Sequence, residues 1–152
     1  MTAIAIPLPR ETRRPDWLEA ALDILVGLVF AVTHPTSVRN TVANTVVDLL
    51  DAGAGAGILR IETSGAVEVA TLTFSDPAFS NAASGIATAN AITSDTNATG
   101  GTAAQFEARD SDANAVFLGS VGTSGADINL SSVGIGAGDT VSISSLTYEA
   151  PN

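Results

Sequence analysis

The chain has 152 residues, 45% of them hydrophobic, but only 5% are aromatic and 14% charged, so any core must be filled largely by small side chains. The formal net charge is −10 and there is no cysteine, which excludes disulfides, zinc fingers, iron–sulfur clusters and thiol catalysis. From Thr41 onward only Arg60 and Arg109 stand against twelve carboxylates, an acidic body that repels phosphate and is not expected to bind nucleic acid directly.

Residues 1–35 read as an arm followed by an apolar helix. Pro7 and Pro9 keep the first stretch extended, and Arg10, Arg13 and Arg14 follow. Pro15 and Asp16 form a helix start, with proline preset for the first turn and a carboxylate at the positive end of the dipole. Trp17, Leu18, Leu22, Leu25, Leu28, Val29 and Phe30 then dominate a run that ends at His34-Pro35. A bilayer span needs about 20 apolar residues. This run is shorter and carries Glu19 and Asp23, so a membrane role is not expected. A secretory signal after Arg13-Arg14 is the rival, opposed by Pro15, the two carboxylates and the lack of a good small-residue cleavage site. The expected role of those seven apolar side chains is docking on protein.

Residues 36–56 read as a second, amphipathic helix and a glycine-rich hinge. Thr36 or Ser37 is the expected cap. Val38, Val42, Val46, Leu49 and Leu50 form the expected buried stripe, with Arg39, Asn40, Asn44, Asp48 and Asp51 on the opposite side. Gly53 is the expected C-cap, and Gly53–Gly57 the hinge.

Residues 57–152 read as a β-domain. Expected strands are 58–63, 67–74, 85–92, 103–109, 115–121, 126–130 and 140–148. Alternation is cleanest where Ala104, Phe106 and Ala108 point inward and Gln105, Glu107 and Arg109 outward. Turns are expected at Asp110–Asn114, Gly122–Gly125 and Gly136–Asp139. In the last strand Val141 and Ile143 share one phase and Leu146 and Tyr148 the other, which a bulge near Ser144 would reconcile. The fold class expected is mainly β: an arm and one or two helices, then a small Ig-like or jelly-roll-like sandwich.

Chemistry is sparse. His34, the single histidine, sits beside a proline and reads as a linker or helix-end residue. Asp110-x-Asp112-x-Asn114 copies the opening of a calcium loop, but Ala115 replaces the needed glycine and Val121 the bidentate glutamate, so a plain turn is favoured. Gly53–Gly57 lacks the lysine of a phosphate loop. Catalytic residues, cofactors and bound metals are therefore none in this reading.

The ordered set of segments is more informative than any one of them. Ser37–Asp51 with Gly57-Ile58-Leu59-Arg60-Ile61, Ala70–Phe79, Ala89–Asp95, Phe106-x-Ala-x-Asp110-Ser111-Asp112 and Gly119–Leu130 together resemble a family of small virion-associated proteins of tailed bacteriophages and prophages. The resemblance spans roughly Ser37 to Tyr148 and implies a non-enzymatic virion component, foremost a capsid decoration or cement protein. A tail, neck or head-fibre component is the next choice, and an exported or membrane-tethered β-module binding a surface ligand is the alternative from another class. Expected partners are capsid or tail subunits and other copies of the chain, as a homo-oligomer with three-fold symmetry foremost. Family members begin near the second helix, so residues 1–35 look like an extension.

Overall fold

The computed structural model describes residues 32–152, and the seven apolar residues expected to dock, Trp17 to Phe30, lie outside them. Thr33–Asn152 form one compact unit. Within it the protein is mainly β, with one short helix and a six-stranded sheet.

Helix α1 spans Thr36–Val47 and runs into a 3-10 turn at Asp48–Asp51. Its start is made without the expected side-chain cap. Pro35 occupies the N-cap position, and its carbonyl accepts the N–H groups of Val38 (2.9 Å) and Arg39 (3.0 Å). Gly53 is not the C-cap either. The α-helix has already tightened at Asp48, and Ala52 is extended before Gly53 takes a φ of +96°.

The orientation of α1 is the larger correction. Ala43, Val47 and Leu50 are buried, while Val38, Val42 and Leu49 from the expected buried stripe are 40%, 37% and 52% exposed. The polar side turns inward because its side chains satisfy backbone that has no ladder partner. Asn40 Oδ1 accepts the N–H of Gly85 (2.7 Å), Asn44 Oδ1 that of Ala82 (2.7 Å), and Asp51 Oδ1 that of Ala78 (2.8 Å). A loop without secondary structure must find such partners or leave its amides unpaired.

The strands are β1 (Ile58–Glu62), β2 (Glu68–Phe74), β3 (Ile86–Thr88), β4 (Ile92–Thr93), β5 (Gly101–Thr102), β6 (Gln105–Arg109), β7 (Ala115–Gly122), β8 (Ile128–Asn129), β9 (Gly134–Ile135) and β10 (Thr147–Glu149). The main sheet has the order β4-β2-β1-β6-β7-β8, and the pairs β10-β3 and β5-β9 stand apart from it. Register places Leu59 opposite Leu72 and Ala108, and Ile61 opposite Ala70 and Phe106, so one face is apolar throughout. Every aromatic ring of the described residues belongs to one cluster around Phe117, whose ring lies 6.2 Å from Phe79, 6.3 Å from Phe106 and 5.4 Å from Tyr148 between centroids; Phe74 joins it through Phe79.

Three expected strands are altered, each for a local reason. The segment 85–92 divides into β3 and β4, which serve different sheets. Between them Asn90 is tied to the preceding loop, its N–H to Ala78 O and its amide to Pro77 O, both at 2.9 Å. The segment 140–148 is no continuous strand: Val141 bridges Asp95, the chain bends at Ser144, and only Thr147–Glu149 pairs. The phase change there is met by a break and not a bulge. The Gly122–Gly125 turn does not make a hairpin, because β8 runs parallel to β7. So short a return is possible since only two residue pairs are made, Val121 with Ile128 and Gly122 with Asn129.

The glycine-rich connection into β1 is anchored. Ser111 Oγ donates to Ala52 O (3.2 Å) and accepts from Gly55 N (3.3 Å). At Gly57 a Cβ would meet Arg109 O at 2.6 Å and Leu50 O at 2.7 Å, so only glycine lets the three backbones approach.

Candidate functional site

Chemistry-bearing residues are few, so each can be followed to its place. His34 is exposed ahead of α1. Asp110 is buried, and its carboxylate is consumed by its own turn: Oδ1 accepts the N–H of Asp112 (2.9 Å) and of Asn114 (2.8 Å), and Oδ2 accepts the Asn114 side-chain amide (2.8 Å). The Asn114 amide, with these N–H groups, holds the Asp110 carboxyl below the usual aspartate range against the opposing effect of burial. The calcium-like spacing thus builds a capped turn. Among the described residues, no three His, Cys, Asp or Glu side chains converge to hold a metal ion.

The face of the sheet opposite the aromatic cluster carries a charged array that alternation alone understated. Arg60 lies 3.3 Å from Glu62 and 3.5 Å from Glu68; Arg109 lies 3.7 Å from Glu62 and pairs closely with Glu107. Gln105 Nε2 donates to Glu62 Oε2 at 3.1 Å. Glu62 keeps only 3% of its side chain exposed, yet two guanidinium groups and an amide surround it. The motifs Arg60-x-Glu62 and Glu107-x-Arg109 were the available signal, since residues two apart share a strand face. What the sequence withheld was that β1 and β6 are neighbours, which brings the pairs together.

A further feature is a groove of about 360 Å³ between β7 and β10. Phe106, Phe117 and Tyr148 line it on the inside, with Asp127 and Glu149 contributing carboxylates. Gly119 makes room for it. A Cβ there would lie 2.6 Å from Phe106 Cζ, so the ring reaches past β6 over the glycine of β7. Asp127 closes one end by accepting the N–H (2.8 Å) and the hydroxyl (2.6 Å) of Ser120, and these bonds, the hydroxyl first, lower its pKa.

The Ser120 hydroxyl meets the Asp127 carboxylate, but the same carboxylate oxygen also holds the Ser120 N–H, so the pair closes a turn. The described polar side chains mostly hold backbone or one another. No protein-family model, curated protein or solved structure matches the chain.

Proposed function

We propose that this protein is a non-enzymatic structural component of a tailed-bacteriophage virion, foremost a capsid decoration or cement protein that docks through its N-terminal segment. The observation that carries the reading is the outward stripe of Val38 and Val42 on α1 and Leu49 in the 3-10 turn after it, apolar surface left uncovered while polar side chains take the inner face. That stripe follows directly in sequence on the apolar run Trp17–Val32. Two such consecutive apolar surfaces fit burial against neighbouring protein subunits. The ordered resemblance of Ser37–Tyr148 to small virion-associated proteins supplies the kind of particle.

The proposal takes the β-domain as a small sandwich of the Ig-like or jelly-roll kind, and the assembled form as a homo-oligomer, a trimer foremost, contacting capsid or tail subunits without direct contact to nucleic acid. No helix among the described residues is long and apolar enough to cross a membrane. Mass spectrometry of purified particles, with copy numbers, tests the reading. Hundreds of copies per particle are expected for a decoration protein; a handful would move it to the neck or tail tip; absence from particles would overturn it.

A further inference from the structure

We infer that the groove between β7 and β10 receives an extended strand from a second copy of this chain, the segment Ala3–Leu8 of its N-terminal arm. Along an antiparallel pair, alternate residues direct both backbone groups to the partner and the others direct them away. Val121 N–H donates to Ala104 O on the β6 side (2.9 Å), so Leu118 and Ser120, of opposite parity, present theirs on the far edge of β7. Ser120 N–H is taken by Asp127 and Gly122 O by Leu130, but Leu118 N–H and C=O have no backbone partner among the described residues. Leu118 is 68% exposed.

The same reasoning applies on the other side. Leu146 O and Ala150 N bond toward β3, to Ala89 and Gly85, so Thr147 and Glu149 direct their backbone groups away from it. The stretch of β7 at Leu118, which lies before its two-residue pairing with β8, and the open edge of β10 border one groove, and β7 and β10 are not hydrogen-bonded to each other. Exposed edges of this kind are templates for an added strand.

The occupant is argued from the chain itself. Ala3-Ile4-Ala5-Ile6-Pro7-Leu8 alternates small and large apolar residues, so as a strand it sets Ile4, Ile6 and Leu8 on one face. That face matches the lining of Phe106, Phe117 and Tyr148, and Ala3 and Ala5 fall on the other side beside Leu118. Pro7 and Pro9 lack N–H groups and limit pairing to the first residues of the segment. The arginines that follow, Arg10, Arg13 and Arg14, oppose a body whose net charge from Thr41 onward is −10, with Asp127 at the groove margin and Glu149 there paired with Arg39 at 2.7 Å. Donation between copies accounts for how a β-domain with an open edge forms a closed homo-oligomer. The inference concerns that oligomer and stands apart from the virion reading.

The absence of cysteine makes the test clean. Two differently tagged full-length chains, one with Ala5→Cys and the other with Leu118→Cys, are mixed under mild oxidation, with Ala3→Cys in parallel to cover a two-residue shift of register. A disulfide joining the two tags is expected, because neighbouring strand positions on one face meet its distance requirement. Adding Ile4→Asp and Ile6→Asp to the donor should reduce it at least about tenfold, and amide exchange at Leu118 should accelerate similarly in that variant. No mixed disulfide, or one indifferent to the aspartates, overturns the inference. So does a chain carrying both cysteines that closes only on itself. Particle content is measured separately: chains that enter particles without cross-linking would sink strand donation and leave the virion reading intact.

Discussion

Asn40, Asn44 and Asp51 lie along one side of α1 and the turn that follows it, and each accepts an N–H from the loop between β2 and β3. Removing the acceptor leaves a part-buried donor with nothing to bond, which costs about 1–3 kcal/mol. Asn44→Ala should therefore lower the denaturant midpoint by that equivalent, whereas Asn44→Asp, which keeps an acceptor oxygen, should lose less. Asp110 and Asp127 act through charge. Both carboxyls are held below their ordinary range by hydrogen bonds donated to the ionised form, from Asn114 and Ser120 respectively. A depressed folded pKa means that the unfolded chain binds more protons, so this stability is fully present above the unfolded value of about 3.9 and is lost as pH falls through the folded one. Equilibrium unfolding between pH 6 and 2, on a scale of about four units, should show a steeper acid loss in the natural chain than in Asp110→Asn.

At the scale of the element, the segment of α1 and the turn after it separates a buried side from an exposed apolar one. Its inner side chains are core, so Leu50→Ala should cost about 2–5 kcal/mol. Its outer stripe is solvent-facing, so Val42→Ser with Leu49→Ser should change stability by less than about 0.5 kcal/mol per site. If the stripe is a docking surface, the same double variant should be depleted from particles while the isolated protein melts normally. Equal incorporation would remove the stripe from the interface. The β-elements show a parallel division: β1, β2 and β6 are paired on both edges, whereas β10 is paired on one edge alone and β7 meets β8 on its far edge only at Val121 and Gly122.

For the whole molecule the decisive quantity is how little apolar surface the core side chains supply. Among the described residues eight of the 21 buried apolar side chains are alanines, and burial yields roughly 25 cal/mol per Å². The aromatic side chains of the described residues gather in one cluster, Leu50, Leu59, Ile61 and Leu72 are buried beside the sheet, and polar clips from α1 and the turns hold the loops. A body of this kind gains from neighbours in an assembly. Deleting residues 1–35 should leave the compact unit beginning at Thr33 nearly complete and folded, but should abolish incorporation into particles. Circular dichroism and particle composition check the two halves of that expectation, and normal incorporation would end the assignment of docking to the N-terminal segment.

Local chemistry made much of this legible beforehand. Period-two alternation located β1, β2, β6 and β7, and the Asp110–Asn114 turn followed from side chains that bond their own backbone. The mainly β class and the helix at Thr36–Val47 rest on the same short-range signals. The face of α1 was not legible, because amphipathic reasoning sends polar residues outward, and only the tertiary structure supplies a loop whose bare amides outbid solvent for Asn40 and Asn44. The short strands β5 and β9, the parallel return of β8 and the meeting of Arg60, Glu62, Glu107 and Arg109 were equally hidden. Two-residue ladders carry no periodicity, and a charged array across strands depends on sheet order, which is fixed by contacts between residues far apart in the chain.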